Sequence, residues 1–203
     1  MSILARAYNA GMDLPSLRDR KRLLIQEDIM AVALRLFRER GYEATTVDDL
    51  AAASGMSRRT FFRYFPSKED VLAGKWTAMG EGIVVALMER PADEEPWTSL
   101  RASLTGVVDH YADPARRTDS YALDEVVDST PSLRAAFVAK VDILAEALSA
   151  VLVSRGVAEV RAQMLARACG AALTVAMRQA RATGAEGIAD DLDRAMGVLT
   201  PGM

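Results

Sequence analysis

The sequence is short of the residues that carry most site chemistry. Among 203 residues it has one cysteine, Cys169, and one histidine, His110. A lone thiol cannot close a disulfide within the chain, which fits a reducing, cytoplasmic compartment. One Cys and one His cannot build a zinc finger or an HExxH centre. A Glu-x-x-His bundle site is absent as well, because Val107 stands three positions before His110. No metal site, cofactor or catalytic residue is therefore expected. Aromatics make up 6% of the chain, with 13 Gly and 7 Pro, which excludes collagen-like and low-complexity classes. No run approaches the roughly 18–20 apolar residues of a membrane span. Met1-Ser2-Ile3-Leu4-Ala5-Arg6 does not lead into a long apolar stretch, so no secretory leader is expected.

What the chain does have is a large apolar fraction, 50%, ample for a folded core. Its net charge of −3 hides an asymmetry. Residues 1–75 carry a net +3 and residues 76–203 a net −6. A chain with one end on a polyanion shows such segregation, although an uneven solvated surface produces it too.

Apolar positions recur at helical spacing almost throughout, and no stretch alternates in period two, so an all-α fold is expected. Residues 1–16 read as an extension interrupted by Gly11 and Pro15. A helix over Leu17–Arg40 stops at Gly41. Thr46-Val47-Asp48-Asp49 opens a short helix with a capping-box pattern, and Gly55 closes it. Ser57 caps a third helix, Arg58–Tyr64, ended by Pro66. Ser67-Lys68-Glu69-Asp70 opens a long fourth helix. Beyond the linker 90–96, one helix from Trp97 to Asp113-Pro114 is expected, then one around Tyr121–Asp128. Further helices are expected from Pro131, over Val157–Thr183 and over Ile188–Leu199.

Two short helices joined at Gly55 and preceded by a longer one form the skeleton of a helix-turn-helix in residues 17–66. Phe61 and Phe65 share one face and should enter the core. Arg58, Arg59, Phe62 and Arg63 are left on the other. Two arginines at a helix start oppose the dipole preference there, a local cost that an arriving DNA anion would offset. The bland alternative is a structural bundle with an exposed basic helix.

Across these residues the chain resembles the TetR family of transcriptional regulators. The segment Phe37-Arg38-Glu39-Arg40-Gly41-Tyr42-Glu43-Ala44-Thr45-Thr46-Val47-Asp48-Asp49-Leu50-Ala51 carries the resemblance, as does Gly55-Met56-Ser57-Arg58-Arg59-Thr60-Phe61-Phe62-Arg63-Tyr64-Phe65-Pro66-Ser67-Lys68. The match spans about 50 residues at the family's spacing. It implies phosphate contacts at Thr46 and Lys68, base or groove-edge contacts at Arg58, Arg59 and Thr60, and aromatic backbone contacts at Phe62 and Tyr64. Ser57 and Arg63 complete the candidate DNA-binding set. Phe62 replaces the tyrosine usual at its position, so a hydroxyl-to-phosphate bond is lost and apolar contact remains.

For residues 67–203 the resemblance implies a larger helical domain that binds a ligand and dimerises. Candidate cavity residues are Met79, Ile83, Trp97, Leu104, Tyr111, Tyr121, Phe137 and Met177, with His110 and Arg178 as polar anchors. Such a lining suits a largely apolar effector. Each of these residues equally fits its own helix's core stripe, and His110 reads as a core-edge histidine. Independently, Ala168-Cys169-Gly170-Ala171-Ala172 is small and uncharged all round one helix, which calls for a second chain as its other wall.

These readings converge on a homodimeric repressor of a pseudo-palindromic duplex, released by a small molecule, with no membrane role and no enzymatic activity. The alternatives are a ligand-independent DNA-binding or architectural protein and, from another class, an all-α enzyme.

Overall fold

A computed structural model describes residues 17–183 and 187–199; the extension expected over 1–16 lies outside them. Among the described residues every regular element is an α-helix. These are α1 Leu17–Arg40, α2 Val47–Ala53, α3 Arg58–Tyr64, α4 Lys68–Met88 and α5 Pro96–Ser103. They continue with α6 Thr105–Ala112, α7 Pro114–Ser129, α8 Pro131–Ser154, α9 Glu159–Thr183 and α10 Ile188–Val198.

Two expected helices differ in extent. The helix from Trp97 to Pro114 breaks at Leu104. Ser103 and Thr105 hydroxyls donate to the carbonyls of Leu100 and Ala102, both at 2.8 Å. Side chains that bond the backbone locally compete with the regular ladder. The helix expected around Tyr121–Asp128 begins much earlier, at Pro114, because a proline that ends one helix is also preorganised to start the next. The Arg117 N–H then donates to the Asp113 carbonyl at 2.9 Å.

The described residues fall into two compact units. One takes α1 through Thr77 together with Thr118–Val138; the other takes Ala78–Arg117 and the residues from Ala139 on. In the first, Ile29, Leu50, Phe61, Leu72, Leu123 and Leu133 are all essentially inaccessible and share one core. Trp76 and Phe137 meet edge to face at its margin, 5.2 Å between centroids. Lys75 Nζ donates to Ser120 Oγ at 2.7 Å. Burial pushes the Lys75 pKa down, and Asp124 and Asp119 work against that.

In the second unit α9 packs along α10 and beside α8. A Cβ at Gly170 would lie 3.2 Å from Val141 Cγ1, so α8 and α9 approach closely there and any larger residue would have to displace the Val141 side chain by a few tenths of an ångström. An Arg167–Asp142 ion pair joins the same two helices. Cys169 is buried, and burial pushes its thiol up to about 12, far from a nucleophilic thiolate at neutral pH. The small-residue band is not enclosed on every side within one chain: Ala172 and Cys169 face inward, while Val160, Met164, Ala171 and Val175 are exposed.

By length and composition the stretch Arg58–Met88 matches a membrane span. Pro66 divides it into α3 and α4, and Val71, Leu72, Ile83, Val84 and Leu87 are buried in protein.

Candidate nucleic-acid interface

The site is assembled from local signals. Thr46 caps α2: its hydroxyl accepts from the Asp49 N–H at 3.2 Å, and Asp49 Oδ2 accepts from the Thr46 N–H at 2.9 Å. The Thr46 hydroxyl also donates to Asp49 Oδ2 at 2.5 Å, and this bond first, then the one from the Thr46 N–H, holds the Asp49 carboxyl below the usual carboxylate range. The helix ends in a Schellman motif. The Met56 N–H reaches the Ala51 carbonyl and the Gly55 N–H reaches that of Ala52, at 2.9 and 3.0 Å. Gly55 takes φ +66°, the left-handed conformation this turn requires and that a side chain would strain. Ser57 then caps α3, accepting from the Thr60 N–H at 3.1 Å.

This turn aims α3. Phe61 and Phe65 are buried, with centroids 5.8 Å apart. Opposite them Ser57, Arg58, Arg59, Phe62 and Arg63 are exposed, and Thr60 and Tyr64 are half-buried. The Arg58 guanidinium lies 2.8 Å from Asp48 Oδ2 and 5.5 Å from the Phe62 ring centre. Arg63 lies over the Tyr64 ring at 5.2 Å. Thr46 is exposed at the start of α2, on the same compact unit.

Lys68 is half-buried and already engaged. Its Nζ donates to the carbonyls of Tyr42 and Thr45, at 2.8 and 3.1 Å, and sits 4.0 Å from the Tyr42 ring centre. An ammonium has three donors, so one remains for an anion. The Tyr42 hydroxyl donates to Glu69 Oε1 at 2.7 Å. The α1–α2 turn is thereby tied to the start of α4.

Burial pushes the Tyr42 pKa up, with Glu69 adding to it. At Glu69 burial also acts upward, yet the bonds it accepts, first that from Tyr42, leave the carboxyl below its ordinary range. A depressed carboxylate contributes stability above its unfolded pKa and loses it as pH falls through the folded value. Tyr42→Phe should therefore cost about 1–2 kcal/mol at pH 7. The gap from wild type should narrow as pH falls below the usual carboxylate range. Urea unfolding at pH 7 and pH 3 tests this; an equal gap at both would show that Glu69 does not respond to Tyr42.

Of the expected cavity residues, Met79, Ile83, Trp97, Leu104, His110, Tyr111, Met177 and Arg178 belong to one compact unit, and Tyr121 and Phe137 to the other. Ile83, Trp97, Leu104, Tyr111 and Met177 are buried. Met79, His110, Tyr121 and Phe137 are half-buried, and Arg178 is exposed. The His110 and Tyr111 rings stand edge to face at 5.5 Å. A cleft of about 610 Å³ lies along α8 and α9, between Ala145, Ser149, Val153, Glu159, Gln163 and Arg167. Among the described residues no cluster of three His, Cys, Asp or Glu could hold a metal ion. Asp48 and the Lys68 clamp are site features that sequence reasoning missed, since both depend on how the turns place residues ten or more positions apart.

A capped, glycine-turned helix pair that presents arginines outward is a helix-turn-helix unit. Residues 29–74 match the family described as bacterial regulatory proteins, tetR family. Through that region the chain carries a TetR-family DNA-binding unit. It is 34% identical over 145 residues to the HTH-type transcriptional regulator TcmR of Streptomyces glaucescens, covering 70% of this chain and 64% of TcmR. The chain thus spans just under two thirds of that relative's length. It is 40% identical over 70 residues to EthR of Mycobacterium tuberculosis, 33% of this chain and 32% of EthR. Thermus thermophilus FadR, a TetR-family repressor solved with lauroyl-CoA, superposes with a TM-score of 0.53 at 27% identity, over 88% of this chain and 94% of FadR. The SmeT–triclosan complex superposes at 0.61 with 18% identity, over 86% and 89%, a likeness of fold.

Proposed function

We propose that this protein is a homodimeric transcriptional regulator that reads a pseudo-palindromic DNA operator and is released from it by a small, largely apolar molecule. The observation that carries the reading is the outward face of α3, where Arg58, Arg59 and Arg63 stand exposed above a buried Phe61–Phe65 pair. Segment 17–66 does the reading, with Thr46, Ser57, Thr60, Phe62 and Tyr64 at the DNA backbone and groove edges, and Lys68, two residues beyond it, adds a phosphate contact. Segment 67–203 would hold effector and partner. The lauroyl-CoA bound to FadR supports an effector with a long apolar part. A ligand preferring one spacing of the two recognition helices would shift the dimer away from successive major grooves.

Selection of bound duplexes from a random pool tests the reading and would return two half-sites with a fixed spacing; recovery of unrelated sequences would refute it. On the selected duplex Arg59→Ala should cost about 1–3 kcal/mol and relax preference at one position per half-site. Lys68→Ala should weaken all duplexes alike and flatten the salt dependence by about one unit per half-site. It should also lower the melting temperature, because the Tyr42 and Thr45 carbonyls lose their donor. Equal losses on operator and random DNA for Arg59→Ala would reduce Arg59 to a phosphate contact.

A further inference from the structure

Asp48 places a negative charge on the very face proposed to meet DNA. Its side chain is 65% exposed, and it stands in the first turn of α2, beside the start of the recognition helix. An unneutralised carboxylate there would repel phosphates. Its Oδ2 accepts from Arg58 Nη1 at 2.8 Å, and the Phe62 ring lies 5.5 Å from the Arg58 guanidinium carbon. The guanidinium is thus held from two sides. By contrast, Arg59 at the next position has no carboxylate within ion-pair distance among the described residues.

We infer that Asp48 is a specificity-determining positioning residue: it holds Arg58 for reading a guanine and penalises capture of Arg58 by a phosphate. This rests on the regulator reading above. A guanidinium has five N–H donors in a rigid fork. With one Nη1 donor on Asp48, the Nε–Nη2 edge remains free to meet guanine O6 and N7 in a bidentate pair. In that geometry the ion pair survives binding. If a phosphate draws Arg58 away, Asp48 is left as an unpaired anion beside the DNA backbone. The wrong arrangement costs more than the right one, which is how a repulsive element creates discrimination. As an exposed ion pair it adds little to folding, so its effect should fall on DNA recognition.

The test compares full-length wild type, Asp48→Asn, Asp48→Glu and Arg58→Ala on the selected operator and on a random-sequence duplex, over a range of salt. Asp48→Asn removes the charge in an isosteric side chain at an exposed position. It should tighten random-duplex binding, cut the operator-to-random affinity ratio by about tenfold, and blur one base position per half-site. Asp48→Glu, which keeps the charge, should restore most of the ratio. Arg58→Ala should lose the same base preference, and Asp48→Asn added to it should change the ratio no further. In the DNA-free protein the Arg58 Nε–Hε NMR order parameter should exceed that of Arg59 and fall to it in Asp48→Asn. The inference is overturned if Asp48→Asn raises affinity for operator and random DNA in equal proportion, or if Arg58 is as mobile as Arg59 in wild type. A wild type with no duplex preference would overturn the regulator reading and this inference together. A wild type with a clear preference that Asp48→Asn leaves intact would overturn this inference alone.

Discussion

Phe61→Ala should remove about 3–5 kcal/mol of stability, a large share of the roughly 5–15 kcal/mol that holds a domain folded. Phe61 is fully buried, and it packs with Ile29, Leu50, Leu72, Leu123 and Leu133 in one continuous core. Truncation removes the ring's transfer free energy and opens a cavity that the surrounding helices cannot close without moving α3. The neighbouring Phe62 supplies the control. It is 41% exposed, so Phe62→Ala should stay within about 0.5 kcal/mol of wild type while still weakening operator binding through lost apolar contact. Chemical unfolding followed by far-ultraviolet circular dichroism separates the two. Equal stability of the two variants would show that α3 is not anchored by Phe61.

The contrast between Phe61 and Phe62 was legible in the sequence because it depends only on helical spacing. Thr46, Ser57, Gly41 and Gly55 were legible for a similar reason: caps and left-handed turns are set by residues a few positions apart. What escaped depends on contacts distant in sequence. Leu123, Val126, Val127 and Leu133 join the core around Phe61 from more than sixty positions away, and no local pattern announces such a partnership. The Lys75–Ser120 bond spans 45 positions. Arg58 and Asp48 each read as a residue near a helix start, and only the angle set at Gly55 makes them a pair. At Leu104 the stripe continues while the backbone turns, because hydroxyl-to-carbonyl bonds leave no mark on hydrophobic periodicity. The orientation of α9 was hidden for a different reason. Its middle is small and apolar on all sides, so periodicity cannot say which side faces the chain's own core.

The structure resolves that side, and with it the substitution that should break the proposed dimer. Ala172 is 2% exposed within its own chain, so an arginine there would disrupt the subunit rather than separate two of them. Val175, 50% exposed, is on the outward face with Val160, Met164 and Ala171. These residues follow one another at steps of four and seven along α9, a single stripe that one chain leaves in water. Two such stripes related by a two-fold axis would cover each other. Val175→Arg should then bury a charge without a counter-ion in the dimer while leaving the monomer folded, because the same side chain is solvated in the free subunit. Each subunit carries one recognition helix. Losing the second should weaken operator binding by about a hundredfold or more, with little change on an isolated half-site. Analytical ultracentrifugation at micromolar concentration checks the first step: wild type should sediment at twice the 22.0 kDa chain mass and Val175→Arg at that mass. A wild type at 22.0 kDa would remove the dimer and with it the expectation of a two-fold operator. A Val175→Arg protein that stays dimeric would move the interface away from this face of α9.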